Sequence, residues 1–154
     1  MKKNSNSKMQ TQKIAKDFAK KTIKHPVSNS RAMVIGLSGD LGSGKTTFVQ
    51  GFAKSLGIKQ RVISPTFVLM KKFKIKNSRF KNLIHFDIYR INNSKEIINL
   101  GWKEMIKNPE NIILVEWAEK IKKLFSKPYF CIEFIHRSAS RRRNRRGIDI
   151  RLVK

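Results

Sequence analysis

Eight consecutive residues, Gly39-Asp40-Leu41-Gly42-Ser43-Gly44-Lys45-Thr46, match G-x-x-x-x-G-K-[ST] at every position and restrict this chain more than any other feature. The spacing has a mechanical reason. Four residues between the outer glycines let successive backbone N–H groups curl round a phosphate, and a Cβ at Gly44 would obstruct that approach. A helix opening at Lys45 offers free N–H groups and the positive end of its dipole to the same anion. The Lys45 ammonium can reach the β- and γ-phosphates of a nucleotide, and the Thr46 hydroxyl suits Mg²⁺. An ordinary glycine turn is the alternative, and the flanks argue against it. Ala32-Met33-Val34-Ile35-Gly36-Leu37 is an apolar run of strand length before the loop. After it, Phe48, Val49, Phe52, Ala53 and Leu56 fall on one face of a helix over 45–56, with Gly57 as a stop. Asp40, Leu41, Gly42, Ser43, Gly44, Lys45, Thr46 and Thr47 are therefore the candidate nucleotide contacts.

A chain of 154 residues is sized for one domain, 1–154, with residues 1–8 polar enough to fray. Ile14, Ala15, Phe18, Ala19 and Ile23 recur at helical spacing over 9–24, and His25-Pro26 ends that helix. Residues 67–74 and 82–89 read as a hairpin around a turn at 76–79. Residues 94–106 read as one or two short helices, 111–117 as a second buried parallel strand, and 118–125 as a short helix. Strands at 129–135 and 147–152 flank an arginine-rich turn, 137–146. Strand, loop and helix followed by a hairpin and a later apolar strand indicate an α/β fold. It is a phosphate-loop core with a mixed parallel and antiparallel sheet flanked by helices.

Acids are scarce, ten against 35 Lys and Arg, so those that end apolar runs stand out. Asp87 closes Leu83-Ile84-His85-Phe86, and Glu116 closes Ile112-Ile113-Leu114-Val115. A phosphate-loop enzyme needs a carboxylate on a neighbouring strand end to hold Mg²⁺. The more uniformly apolar strand favours Glu116 for the metal, leaving Asp87 to order a water; an Asp87–Arg90 ion pair is the alternative. Ser64-Pro65-Thr66 fits either a nucleotide-sensing switch segment or a plain proline turn. Trp117 reads first as packing. His25, His85 and His136 lack ligand spacing, so they suggest no metal site of their own.

The formal net charge of +25 favours phosphate-rich partners, but a chain so rich in Lys, Ile and Asn is also what AT-rich coding produces. Residues 71–81 carry no acid, and Asp149 is the one acid over 137–151; polyanion contact would be sought there. The arginine cluster lies far along the chain from the phosphate loop, which predicts that turnover at the nucleotide site is independent of it. A single cysteine, Cys131, excludes an internal disulfide and a thiolate-rich zinc site. With no apolar run of membrane length and no apolar leader, the expectation is a cytoplasmic protein.

Four segments taken together carry a resemblance: Ser38-Gly39-Asp40-Leu41-Gly42-Ser43-Gly44-Lys45-Thr46-Thr47-Phe48, Ser64-Pro65-Thr66-Phe67, His85-Phe86-Asp87-Ile88-Tyr89-Arg90 and Leu114-Val115-Glu116-Trp117. In this order and spacing they resemble the bacterial TsaE (YjeE) family, ATPases of tRNA threonylcarbamoyladenosine (t6A) biosynthesis. The resemblance implies ATP hydrolysis with Mg²⁺ in the cytoplasm, beside a TsaB–TsaD pair that modifies adenosine 37 of tRNA. It further implies Lys45 on phosphate, Thr46 and Glu116 on Mg²⁺, Thr66 in a switch segment, and Asp87 as a catalytic or water-ordering acid. Thr11 would lie near the nucleotide base, and Trp117 would respond to nucleotide. Two other readings are weighed. A small-molecule or nucleotide kinase would need an arginine-bearing lid, for which the cluster at 141–146 comes late. A non-enzymatic RNA-binding module would leave the phosphate loop unexplained and lacks an RNP-like aromatic motif.

Overall fold

The computed structural model describes residues 1–65, 68–76, 78–136 and 146–154. Side-chain alternation divides its core. Along Met33–Ser38, Met33, Ile35 and Leu37 face one apolar cluster while Val34 faces another, and Asn111–Glu116 repeats the pattern with Ile112 and Leu114 against Ile113 and Val115. A strand covered on both faces needs this continuous apolar run.

In chain order the strands are Lys2–Ser5 (β1), Met33–Ser38 (β2), Met70–Lys74 (β3), Asn82–Asp87 (β4), Asn111–Glu116 (β5), Tyr129–His136 (β6) and Arg146–Val153 (β7). They form one sheet in the order β1-β7-β6-β2-β5-β4-β3. The central strands β6, β2, β5 and β4 are mutually parallel, and β3, β7 and β1 add antiparallel edges. Among the described residues no helix is long and apolar enough to cross a membrane.

Helices α1 (Lys8–Lys24) and α2 (Lys45–Ser55) cover one face. Ser7 caps α1 by accepting the Gln10 N–H at 3.1 Å. The buried side chains Thr11, Ala15, Phe18, Ala19 and Thr22 form the inner stripe of α1. Phe18 meets Phe48, Phe52 and Phe130 at ring separations of 6.0, 6.2 and 5.0 Å. Each such ring contributes about 1.5–3 kcal/mol by leaving water. Gly51 permits the close approach of α1 to α2, since a Cβ there would lie 2.5 Å from the Gln12 carbonyl oxygen. Helices α3 (Ser94–Asn99) and α4 (Trp102–Lys107) cover the second face, where Trp102 stacks on Phe125 at 5.7 Å.

Two expectations are corrected. Residues 118–125 form two 3-10 turns, Ala118–Lys120 and Lys122–Leu124, rather than one helix. Residues 1–8 hold a strand: Lys2–Ser5 pairs with β7 in the register Lys2↔Asp149 to Ser5↔Arg146. Backbone hydrogen bonds hold this edge, so its polar side chains give no periodic signal.

Candidate functional site

The parallel strands bring Leu37, Glu116 and Asp87 into one register row at the C-terminal edge of the sheet. Ligands in open α/β sheets sit in the crevice outside such an edge. Alternation from Leu83 and Leu114 puts His85, Asp87 and Glu116 on the face that α2 covers.

The loop from β2 to α2 turns at Gly39, Gly42 and Gly44, with φ of 137°, 74° and 106°. Gly44 is the N-cap of α2 in the left-handed region, and no side chain caps the helix. The first-turn N–H groups are thus available to an anion. Lys45 is 4% exposed. Its ammonium donates to the Gly39 and Asp40 carbonyl oxygens at 2.6 and 2.9 Å and lies 3.7 Å from the centre of the Trp117 ring. Burial lowers the pKa of Lys45 below its ordinary 10.5, while Glu116 foremost, then Glu119, Asp87 and Asp40, pull it back up.

Behind the lysine, the Thr46 hydroxyl donates to Glu116 Oε2 at 2.9 Å, and His85 Nε2 lies 2.8 Å from Glu116 Oε1. Glu116 thereby ties the Thr46 hydroxyl and the His85 ring to its two carboxyl oxygens. The imidazole is fully buried and its Nδ1 has no hydrogen-bond partner among the described residues. Asp87 accepts from the Ser64 hydroxyl and from the Tyr89 N–H, the latter at 3.1 Å. Trp117 follows Glu116 with φ of 64°, a costly conformation for a bulky residue, and packs on Tyr89 at 4.9 Å.

These groups line a cavity of about 330 Å³ walled by Leu41, Gly42, Ser43, Gly44, Lys45, Thr46, Thr47, Ser64, Asp87, Tyr89, Glu116, Trp117 and Arg146. The structure thus gathers Leu41 to Thr47, Asp87, Glu116 and Trp117 from the sequence-based candidates. Asp40 supplies its carbonyl to Lys45 from outside the wall. Thr11 also stands off it, buried with its hydroxyl 2.7 Å from Ser5 Oγ and its methyl 3.9 Å from where a Cβ on Gly44 would lie. Thr66 and residues 141–145 lie outside the described residues.

Sequence reasoning missed His85 and Arg146. The His-x-Asp spacing within the β4 run was the available signal for the first, because residues two apart share a face. For Arg146 there was none. It stands 100 residues beyond Thr46 in number, yet the fold sets it on the cavity wall.

The residues fit a Mg²⁺–nucleotide. A glycine cradle opens at a helix N-terminus, the buried Ser43 hydroxyl has no hydrogen-bond partner among the described residues, and hydroxyl and carboxylate oxygens stand together at Thr46 and Glu116. Among the described residues no three His, Cys, Asp or Glu side chains gather to hold an ion on their own.

A family model described as "Threonylcarbamoyl adenosine biosynthesis protein TsaE" matches residues 5–145. A Rickettsia typhi protein of that name is 38% identical over 121 residues, 78% of each chain. One from Bacillus subtilis is 44% identical over 89 residues, covering 58% of this chain and 52% of its own. The crystal structure of Bacillus subtilis YdiB superimposes with a TM-score of 0.70 at 27% identity, covering 100% of this chain and 86% of that one.

Proposed function

The chain belongs to the TsaE family of threonylcarbamoyl adenosine biosynthesis, and from that premise we propose that it is a Mg²⁺-dependent ATPase serving t6A formation on tRNA. One observation carries the reading: Lys45, Thr46, Asp87 and Glu116 line a single cavity against a phosphate loop. Lys45 is the phosphate-binding cation, exchanging its two carbonyl acceptors for phosphate oxygens. Thr46 and Glu116 hold Mg²⁺, which when bound neutralises charge developing on the β- and γ-phosphates. Asp87 accepts a hydrogen bond from the attacking water and orients it. Leu41 to Thr47 cradle the phosphates, Trp117 closes the wall beside Lys45, and Thr66 belongs to a switch segment. Thr11, whose methyl a Cβ on Gly44 would meet at 3.9 Å, stands near the nucleotide base. The partners are TsaB–TsaD-type proteins and, through them or through the basic residues at 141–146, tRNA; the site of action is the cytoplasm.

A kinase acting on a small acceptor draws support from Arg146 at the cavity wall. ATP turnover with and without the t6A synthase proteins and tRNA separates the two. The expected result is slow turnover alone and faster turnover with the assembly, indifferent to small acceptors. Phosphate transfer to a small acceptor, with no response to the assembly, sinks the ATPase reading.

His85 is a positioning residue, since it orients Glu116 without itself lining the cavity. His85→Ala lowers kcat roughly ten- to a hundredfold, the usual scale for losing a group that orients a metal ligand. KM for ATP changes little, and His85→Gln, which keeps an N–H in reach, recovers part of the rate. An equal loss in both variants, or a change in KM alone, removes the orienting role.

A further inference from the structure

Arg146 lines the nucleotide cavity without a role in the chemistry above. It opens β7, and its backbone is held on both sides, opposite Ser5 of β1 and opposite His136 of β6. Its side chain reaches across to the phosphate loop, where a Cβ built on Gly44 would lie 3.3 Å from Arg146 Nη1 and 3.9 Å from Cδ. The guanidinium is thus set against the N-cap of α2, on the side of the cradle away from Asp87 and Glu116's partner strand β4.

Electrostatically this is an unfavourable place for a second cation. The positive end of α2 and the Lys45 ammonium are already there. The two carboxylates of the cavity are engaged elsewhere, Glu116 with Thr46 and His85, and Asp87 with Ser64 and Tyr89. Among the described residues no carboxylate pairs with Arg146, and its buried Nε has no hydrogen-bond partner. A second orphan points the same way: Ser43, 2% exposed, has in the same wall a hydroxyl with no partner among the described residues. Unpaired donors are costly when removed from water, and a planar guanidinium beside a phosphate cradle matches a phosphate's paired oxygens.

We propose that Arg146 is a nucleotide-contacting residue, its guanidinium donating to the diphosphate shared by ADP and ATP from the β7 side of the loop. The proposal rests on the nucleotide site described above. It divides the arginine cluster by role, because Arg146 is spent on the nucleotide and is withdrawn from any surface that 141–145 offers to RNA. The bond is a phosphate contact and needs no acceptor molecule, so an arginine in the cavity does not by itself make the protein a kinase.

The test is calorimetric titration of the full chain with ADP and, separately, with inorganic pyrophosphate. Arg146→Gln weakens both by roughly ten- to a hundredfold, the worth of a charge-assisted hydrogen bond. Arg146→Lys, which keeps the charge but not the fork, recovers part of the affinity. Arg151→Gln, on the same strand but paired with Glu133 and Asp149, binds both as the parent does. Parent-like affinity in a folded Arg146→Gln protein, or equal losses in the Arg151 control, overturns the assignment while leaving the nucleotide site intact. Failure of the parent itself to bind ADP overturns both readings together. Should the glutamine variant not fold, the lysine variant decides, since full parental affinity for both probes denies the fork a role.

Discussion

Lys45→Ala reduces ATP turnover by roughly 10²–10³, the scale of losing one pre-aimed electrostatic group at a developing charge. The ammonium is positioned before any substrate arrives, by two carbonyl oxygens of the loop and by the Trp117 ring. Little has to be reorganised at the moment of reaction. The fold should persist, because the lysine lies at the sheet edge and outside both apolar clusters; circular dichroism and the melting curve check this. The lowered pKa adds a pH dependence with a definite sign. Between the folded pKa and the ordinary 10.5, the unfolded chain holds a proton that the folded chain has lost, so stability rises with pH there. Phosphate beside the ammonium pulls the pKa back up, so nucleotide binding takes up a proton in that alkaline window and weakens as pH rises through it. The Ala variant lacks both effects. Parental turnover in a folded Ala variant would remove Lys45 from the mechanism.

Glu116→Gln loses turnover on a similar scale, roughly 10²–10³. The side chain is 2% exposed and ties Thr46 to His85, and the amide keeps its volume while removing its charge. The loss should therefore report the carboxylate and not a cavity. ADP affinity measured without Mg²⁺ should be near parental, whereas the Mg²⁺ concentration for half-maximal turnover should rise. Asp87→Asn gives the contrast: it slows turnover without moving the Mg²⁺ requirement. If Glu116→Gln stays near parental in both measurements, the metal role passes to Asp87, one register step across on β4.

Local order was legible because its causes are local. The stripe of α1, the two apolar strands before Gly39 and before Glu116, and the phosphate loop each follow from spacing within a dozen residues. The hairpin of β3 and β4 was legible for the same reason, with β3 starting only at Met70. The short 3-10 turns after Trp117 were not, since six or seven residues carry too little periodicity to separate them from a helix.

By itself the sequence determined the phosphate loop, the two acids that end apolar runs, and the mixed α/β class, because backbone geometry and face alternation act on neighbours. Only the tertiary structure decided that β1 closes one edge, that His85 braces Glu116, and that Arg146 crosses to Gly44. Those three arise from strand order and register, which bring together residues separated by 31 positions in the histidine pair and by far more in the others. Polar partners at such distances leave no pattern along the chain, because hydrogen bonds and charges are matched in space and only apolar burial is written as a period.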